Sequence, residues 1–308
     1  MTDSPEGSKN SSPLPKQAIL IVNAMSRSGA EVFDEVHYKL VASGIDVMEA
    51  HAIANPDEME PAVRSAIAKA PMVIIGGGDG SLSSNVDFFV GHDTVFALIP
   101  LGTANSFAGT LSIPKDIDSA VDVIANGIRK RIDLGRIDGD YFVNAAAIGL
   151  SPMIAQTVPH KLKRYLGIVG YLFWAFWCAV RFRPFKVIVS SQDGPKEKFW
   201  ATEVRIANGS HHGGMELIES QKVDSGVIVI QAVTGRSVWG LAWSWFATIV
   251  KLRARHGTTR EFRGTQMTLD TRPRQNISID GEVAARSPVT ISVAGDVIEV
   301  AAPRPDQF

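Results

Sequence analysis

With 308 residues, 45% of them hydrophobic and 20% charged, the chain has the make-up of an ordinary globular protein with room for two cores. A net charge of −1 argues against a global nucleic-acid surface. The single cysteine excludes an intramolecular disulfide framework and suits a reducing compartment. That residue, Cys178, sits in an apolar aromatic run and is expected in a core or pocket rather than as a nucleophile.

Residues 1–16 are polar and rich in Pro and Ser, which predicts a disordered tail with no secretory signal. Over residues 17–130 strand and helix patterns alternate. Ala18–Val22, Ile45–His51, Val73–Ile75 and Val95–Ile99 read as strands, and Ala30–Ala42, Pro56–Ala68, Ser81–Val90 and Asp116–Asn126 as helices. That order predicts an α/β domain with a mainly parallel sheet covered by helices. From about Arg131 short β-type runs take over, among them Ile132–Ile137, Tyr141–Ala147, Phe185–Ser191, Ala201–Ala207, Val227–Val233, Gln275–Ile279, Val289–Val293 and Val297–Val300. Helical patterns are confined to Pro152–Val180 and Ser237–Leu252. Residues 131–308 are therefore expected to form an antiparallel, sandwich-like second domain, its last strand packing back on the first. Within it, Leu166–Val180 carries no charge but is shorter than the about 20 residues of a membrane span. A buried or membrane-facing helix is expected there.

In an open parallel sheet, ligands bind beyond the carboxyl ends of the strands. Three strand ends carry unusual turns: Asn23-Ala24-Met25-Ser26-Arg27-Ser28-Gly29, then Gly76-Gly77-Gly78-Asp79-Gly80-Ser81, then Pro100-Leu101-Gly102-Thr103-Ala104-Asn105-Ser106-Phe107. Glycines between a strand and a helix expose backbone N–H groups at a helix N-terminus, which is an anion site, most often for phosphate. The turn lacks the Gly-Lys-Ser/Thr of a Walker A loop, and Ser81 interrupts a G-x-G-x-x-G pattern. Asp79 among phosphate-binding amides would repel phosphate unless it takes a proton or helps hold Mg²⁺, which points to phosphoryl transfer rather than passive binding. Far along the chain, Asp280-Gly281-Glu282 reads as a hairpin turn, since Asp-Gly is a strong turn dipeptide.

Gly77-Gly78-Asp79-Gly80-Ser81-Leu82 followed by Gly102-Thr103-Ala104-Asn105 resembles the catalytic domain of the diacylglycerol kinase family, which includes bacterial lipid kinases and sphingosine and ceramide kinases. Ile132-Asp133-Leu134-Gly135, Tyr141-Phe142-Val143-Asn144, Ala207-Asn208-Gly209 and Ile279-Asp280-Gly281-Glu282 follow in family order, so the resemblance spans about residues 17–300. It implies an ATP- and Mg²⁺-dependent lipid kinase with a nucleotide domain, a β-rich lipid domain and an active site in the cleft between them. Carried onto this sequence, Gly77, Gly78, Asp79, Gly80, Ser81, Leu82 and Ser83 would cradle the ATP phosphates. Thr103 and Asn105 would meet the nucleotide, Asn23 would mark the first nucleotide loop, and Glu282 would be the base that deprotonates the lipid hydroxyl, assisted by Asp79. Ser81 stands where threonine is usual, Ser83 and Ser84 where asparagine and glutamate are common, and Ser106 where aspartate is usual. Many bacterial members hold a structural Mg²⁺ at an Asp-Asp-Gly stretch. The matching run here is Val223-Asp224-Ser225-Gly226, with Asp224 as the candidate ligand, together with Asp133.

All but one of the six tryptophans lie in two aromatic helical stretches flanked by Lys161–Arg164 and Lys251–Arg255. Interfacial aromatics beside basic residues suit anionic headgroups. The expected partner is a lipid at the inner face of the membrane, reached peripherally from the cytoplasm; no nucleic acid is expected, and oligomer formation is left open. His211-His212 lacks nearby metal ligands at suitable spacing and reads as a rim or solvent pair. Two other readings fit parts of the pattern: a soluble NAD-type kinase, whose family shares Gly-Gly-Asp-Gly, and a catalytically silent lipid- or nucleotide-binding protein.

Overall fold

A computed structural model describes residues 12–25, 27–191, 194–209, 211–212, 215–216, 223–235 and 259–307. The chain divides into two compact units: residues 1–134, 209–226 and 294–308 in the first, and residues 135–208 and 227–293 in the second.

The first unit opens with β1 (Gln17–Asn23), α1 (Arg27–Ala42), β2 (Asp46–Ile53), α2 (Met59–Lys69), β3 (Met72–Gly77), α3 (Asp79–Val86), β4 (Val95–Pro100), α4 (Ser106–Thr110) and α5 (Ile117–Asn126). Strand β5 (Ile128–Ile137) then leaves it. The sheet order β4-β3-β1-β2 is parallel throughout. β3 and β4 are buried along their whole length, which is why they read as unbroken apolar runs rather than alternating ones. Asp116 caps α5, its side chain accepting the Ser119 N–H at 2.8 Å. That bond and the Ser119 hydroxyl hold the Asp116 carboxyl below its ordinary value.

Residues 12–16 correct the expected tail. Pro13 bridges Ile128, Leu14 is buried, and the Lys16 ammonium donates to the Ala125 carbonyl at 2.7 Å. Residues 1–11 lie outside the described residues.

In the second unit come β6 (Asp140–Phe142), β7 (Ala145–Gly149), α6 (Leu150–Thr157), α7 (His160–Arg181), β8 (Phe185–Ser191) and β9 (Glu197–Ala207). The chain returns to the first unit for the short hairpin of β10 (His211–His212) and β11 (Met215–Glu216). β12 (Ile228–Thr234), β13 (Thr259–Gly264), β14 (Gln266–Arg272), β15 (Asn276–Ile279), β16 (Glu282–Arg286) and β17 (Val289–Ala302) complete the order. Pairing in this unit is antiparallel, with the later part of β9 between β7 and β12. Its core gathers Phe142, Ile148, Phe185, Val204, Ile230 and Leu269.

Three expected elements change. The helical pattern expected over Pro152–Val180 is divided into α6 and α7, because Val158 is extended ahead of Pro159, which caps α7. The run Tyr141–Ala147 is two strands, β6 and β7. The two terminal runs are one 14-residue strand, β17, whose first part pairs with β14 and whose last part pairs in parallel with β4. The aromatic stretch Ser237–Leu252 lies outside the described residues. Among the described residues, no helix is long and apolar enough to cross a membrane.

Candidate active site

In the first unit the three strand-end turns meet through small residues. A Cβ on Gly102 would stand 2.6 Å from the Gly78 Cα and 2.7 Å from the Asn105 Oδ1, so the β3–α3 and β4–α4 turns touch backbone to backbone. A Cβ on Gly77 would likewise stand 2.7 Å from the Ser81 Cβ. Around Gly80 nothing lies within 4 Å of a built Cβ, leaving open space beside the first turn of α3.

That turn is short of acceptors. Gly78 is its N-cap with no side-chain cap, and the first helical bond runs from the Leu82 N–H to the Gly78 carbonyl at 3.1 Å. The N–H groups of Asp79, Gly80 and Ser81 therefore fall outside the helical ladder. The Ser83 hydroxyl is buried with no hydrogen-bond partner among the described residues. Buried polar atoms are nearly always paired, so an orphan beside amides outside the ladder points to an acceptor that the described residues do not supply. Phosphate oxygens fit that need.

Several predicted residues shape this surface. Asn23, at the end of β1, donates to the Ser81 hydroxyl at 2.6 Å and accepts the Met25 N–H at 3.0 Å. Asp79 Oδ1 accepts the Phe107 N–H at 3.1 Å, bracing α3 against α4 and leaving Oδ2 without a hydrogen bond among the described residues. Thr103 is exposed on the β4–α4 loop. Leu82 is fully buried, so only its backbone can face a ligand.

Asn105, expected to meet the nucleotide, is the N-cap of α4. It is buried in the left-handed region at φ 49°, its amide accepting the Gly102 N–H and donating to the Gly102 carbonyl, each at 2.9 Å. Through these two bonds the side chain clamps the loop. Sequence reading missed Lys115, whose ammonium donates to the Ala104 carbonyl at 3.0 Å and brings a positive charge to the Thr103 loop. A lone lysine after Pro114 gave no signal of this.

Glu282 belongs to the second unit. It is exposed at the start of β16, paired with Ile279 across a two-residue turn in which Asp280 and Gly281 both have positive φ. Asp280 does more than turn the chain. Its carboxylate accepts the N–H groups of Val143 at 3.0 Å and of Asn144 and Ala145 at 3.2 Å each, and its own N–H donates to the Ala145 carbonyl at 3.1 Å. Asn208 closes the same junction, donating to the Val143 carbonyl at 3.0 Å.

The run expected to hold structural Mg²⁺ does not fit a metal. Asp224 Oδ2 lies 2.8 Å from the Lys130 ammonium. Asp133 is buried, with Oδ2 accepting the Gly226 N–H at 2.7 Å and Oδ1 accepting the Asp296 N–H at 2.9 Å. Mg²⁺ needs converging oxygens with free lone pairs at about 2.1 Å. Here one carboxylate faces an ammonium and the other faces two amides, so the expected ligand role of Asp224 is corrected. The His211-His212 pair forms β10; its side chains lie outside the described residues.

Comparison with known proteins places these features in context. The family model "Diacylglycerol kinase catalytic domain" matches residues 17–137, and "YegS C-terminal NAD kinase beta sandwich-like domain" matches residues 144–302. A protein named diacylglycerol kinase from Bacillus subtilis is 33% identical over 163 residues, 51% of this chain and 53% of that protein. Another of that name from Staphylococcus saprophyticus is 25% identical over 94% of this chain and 96% of its own length. In fold, the chain is similar to a diacylglycerol kinase crystal structure from Bacillus anthracis, with a TM-score of 0.75 at 20% identity over 95% of this chain and 98% of that one.

Proposed function

Because the chain belongs to the diacylglycerol kinase catalytic-domain family, we propose that it transfers the γ-phosphate of ATP to a hydroxyl of a membrane lipid. The observation that carries this reading is the β3–α3 turn: free amides, open space at Gly80 and the orphaned Ser83 hydroxyl all ask for phosphate oxygens. In the proposed site these groups cradle the phosphates, Thr103 contacts the nucleotide, and Asn23 fixes the Ser81 hydroxyl. Mg²⁺ carried with ATP would offset charge on the phosphates, and the unbonded Oδ2 of Asp79 is the acid group available to it.

Glu282 is the proposed base. A lipid alcohol is a weak nucleophile, and a carboxylate that takes its proton as the oxygen attacks phosphorus lowers the barrier. The new bond joins lipid oxygen to the γ-phosphorus, the bond to the β-bridging oxygen breaks, ADP leaves with that electron pair, and the proton goes to Glu282. Asp280 supports this step by fixing the turn that carries Glu282.

We further propose peripheral attachment at the inner face of the membrane through α7. One side of α7 packs Trp174 and Cys178 against Leu150 and Val233. The other exposes Phe173 (62%), Phe176 (63%), Trp177 (44%) and Val180 (68%), spaced as one helical stripe, with the Arg181 guanidinium 3.4 Å from the Trp177 ring centre.

The test is a transfer assay with labelled ATP, Mg²⁺ and vesicles presenting a panel of lipid alcohols, with NAD as a parallel acceptor. A labelled lipid supports the proposal. Labelled NADP with no labelled lipid supports the NAD-kinase reading, and no product supports a binding protein.

A further inference from the structure

The Val223–Gly226 turn invites a question that the kinase reading does not raise: what holds it if not a metal ion? It is tied to β5 at three points. The Asp133 N–H donates to the Val223 carbonyl at 2.6 Å, the Gly226 N–H donates to Asp133 Oδ2, and Lys130 pairs with Asp224. Asp133 also accepts the Asp296 N–H, so one buried carboxylate joins β5, this turn and the middle of β17. Its negative charge is met by amide hydrogens, and that of Asp224 by an ammonium.

The neighbouring basic residues are engaged elsewhere. Arg129 and Arg131 both pair with Glu299 on β17, while Lys130, between them in an extended strand, turns to the other side and reaches Asp224. Ser225 occupies the position next to the glycine and brings no second carboxylate. A divalent cation entering here would have to displace the Lys130 ammonium from 2.8 Å and compete with the Gly226 and Asp296 N–H groups for the Asp133 oxygens.

We propose that Lys130 is a built-in cation: its ammonium supplies the charge that fixes the Val223–Gly226 turn, and this junction is independent of divalent metal. This junction lies within the first unit, and its independence of metal does not depend on the acceptor of the proposed reaction.

The experiment uses the full chain without nucleotide, its thermal unfolding followed in Mg²⁺ and in EDTA. The wild-type midpoint is expected to be the same in both. Lys130→Met and Asp224→Asn should each lower it by about 2 °C, as for a half-exposed ion pair in a chain of this size. The double variant should fall no further than either single one, because both remove one interaction. Mg²⁺ should restore none of them. Conversely, Lys130→Ala combined with Ser225→Asp removes the ammonium and adds a carboxylate, so its midpoint should rise with Mg²⁺.

A wild-type midpoint that falls in EDTA and recovers with Mg²⁺ overturns the proposal, and this arm needs no variant to fold. Additive losses from Lys130→Met and Asp224→Asn, or no loss from either, overturn it too.

Discussion

At the end of β3 the chain makes room by leaving side chains out, whereas at the β15–β16 turn it fixes a point by anchoring a carboxylate. The Gly78 and Gly102 backbones touch because neither has a Cβ, and the space beside Gly80 stays open. At the hairpin, Asp280 collects three backbone N–H groups from residues 143–145 and holds Glu282 at the head of β16. The first arrangement offers donors to a ligand; the second offers one acceptor on a rigid mount. Under the proposed function the first would hold phosphates and the second would supply the base, the two requirements of phosphoryl transfer to an alcohol.

Five substitutions sharpen or bound that contrast. Apart from changes at Glu282, the largest effect is expected from Asp79→Asn, which keeps an oxygen for the Phe107 N–H but loses the charge: lipid phosphorylation should fall at least about 100-fold with the melting temperature little changed. Ser83→Ala removes an unpaired hydroxyl, so stability should hold or rise while calorimetry shows ATP binding weakened by about tenfold, the worth of one hydrogen bond to a charged group.

Gly102→Ala and Asp280→Ala should each cost about 1–3 kcal/mol in denaturant unfolding, the first by overpacking two backbones and the second by orphaning amides. The two should part in their kinetics. Gly102→Ala is expected to raise the KM for ATP, and Asp280→Ala to lower kcat.

Asp116→Asn should have the smallest effect, confined to acid. The folded-state carboxyl lies below its ordinary value of 3.8, so its contribution to stability is complete above that value and is lost as pH falls through the lowered one. The variant's unfolding curve against pH should be shallower below about pH 4 and otherwise parallel to the wild type.

The α/β half of the fold was legible because β3 and β4 are buried on both faces and written in uninterrupted apolar residues. The glycine turn was legible for a related reason, since several glycines beside a strand end are costly unless space is needed. What stayed hidden depends on partners distant in sequence. Nothing near Asp280 announces the amides of residues 143–145, nothing near Asn105 shows that its amide folds back on Gly102, and nothing near Asp224 names Lys130. β17 read as two strands because Gly295 and Asp296 interrupt its apolar pattern, although the pairing on either side continues. The division of α6 from α7 was written in Val158-Pro159, a signal outweighed by the long apolar run that follows.

The central claim is that the glycine turn holds the nucleotide while Glu282 takes the proton. Glu282→Gln keeps the size of the side chain and removes the base, so the decisive measurement pairs ATP-binding calorimetry with lipid phosphorylation on this one variant. The account expects an unchanged Kd for ATP and transfer reduced by about 10²–10⁴-fold. Transfer at the wild-type rate, or loss of ATP binding together with transfer, would contradict it.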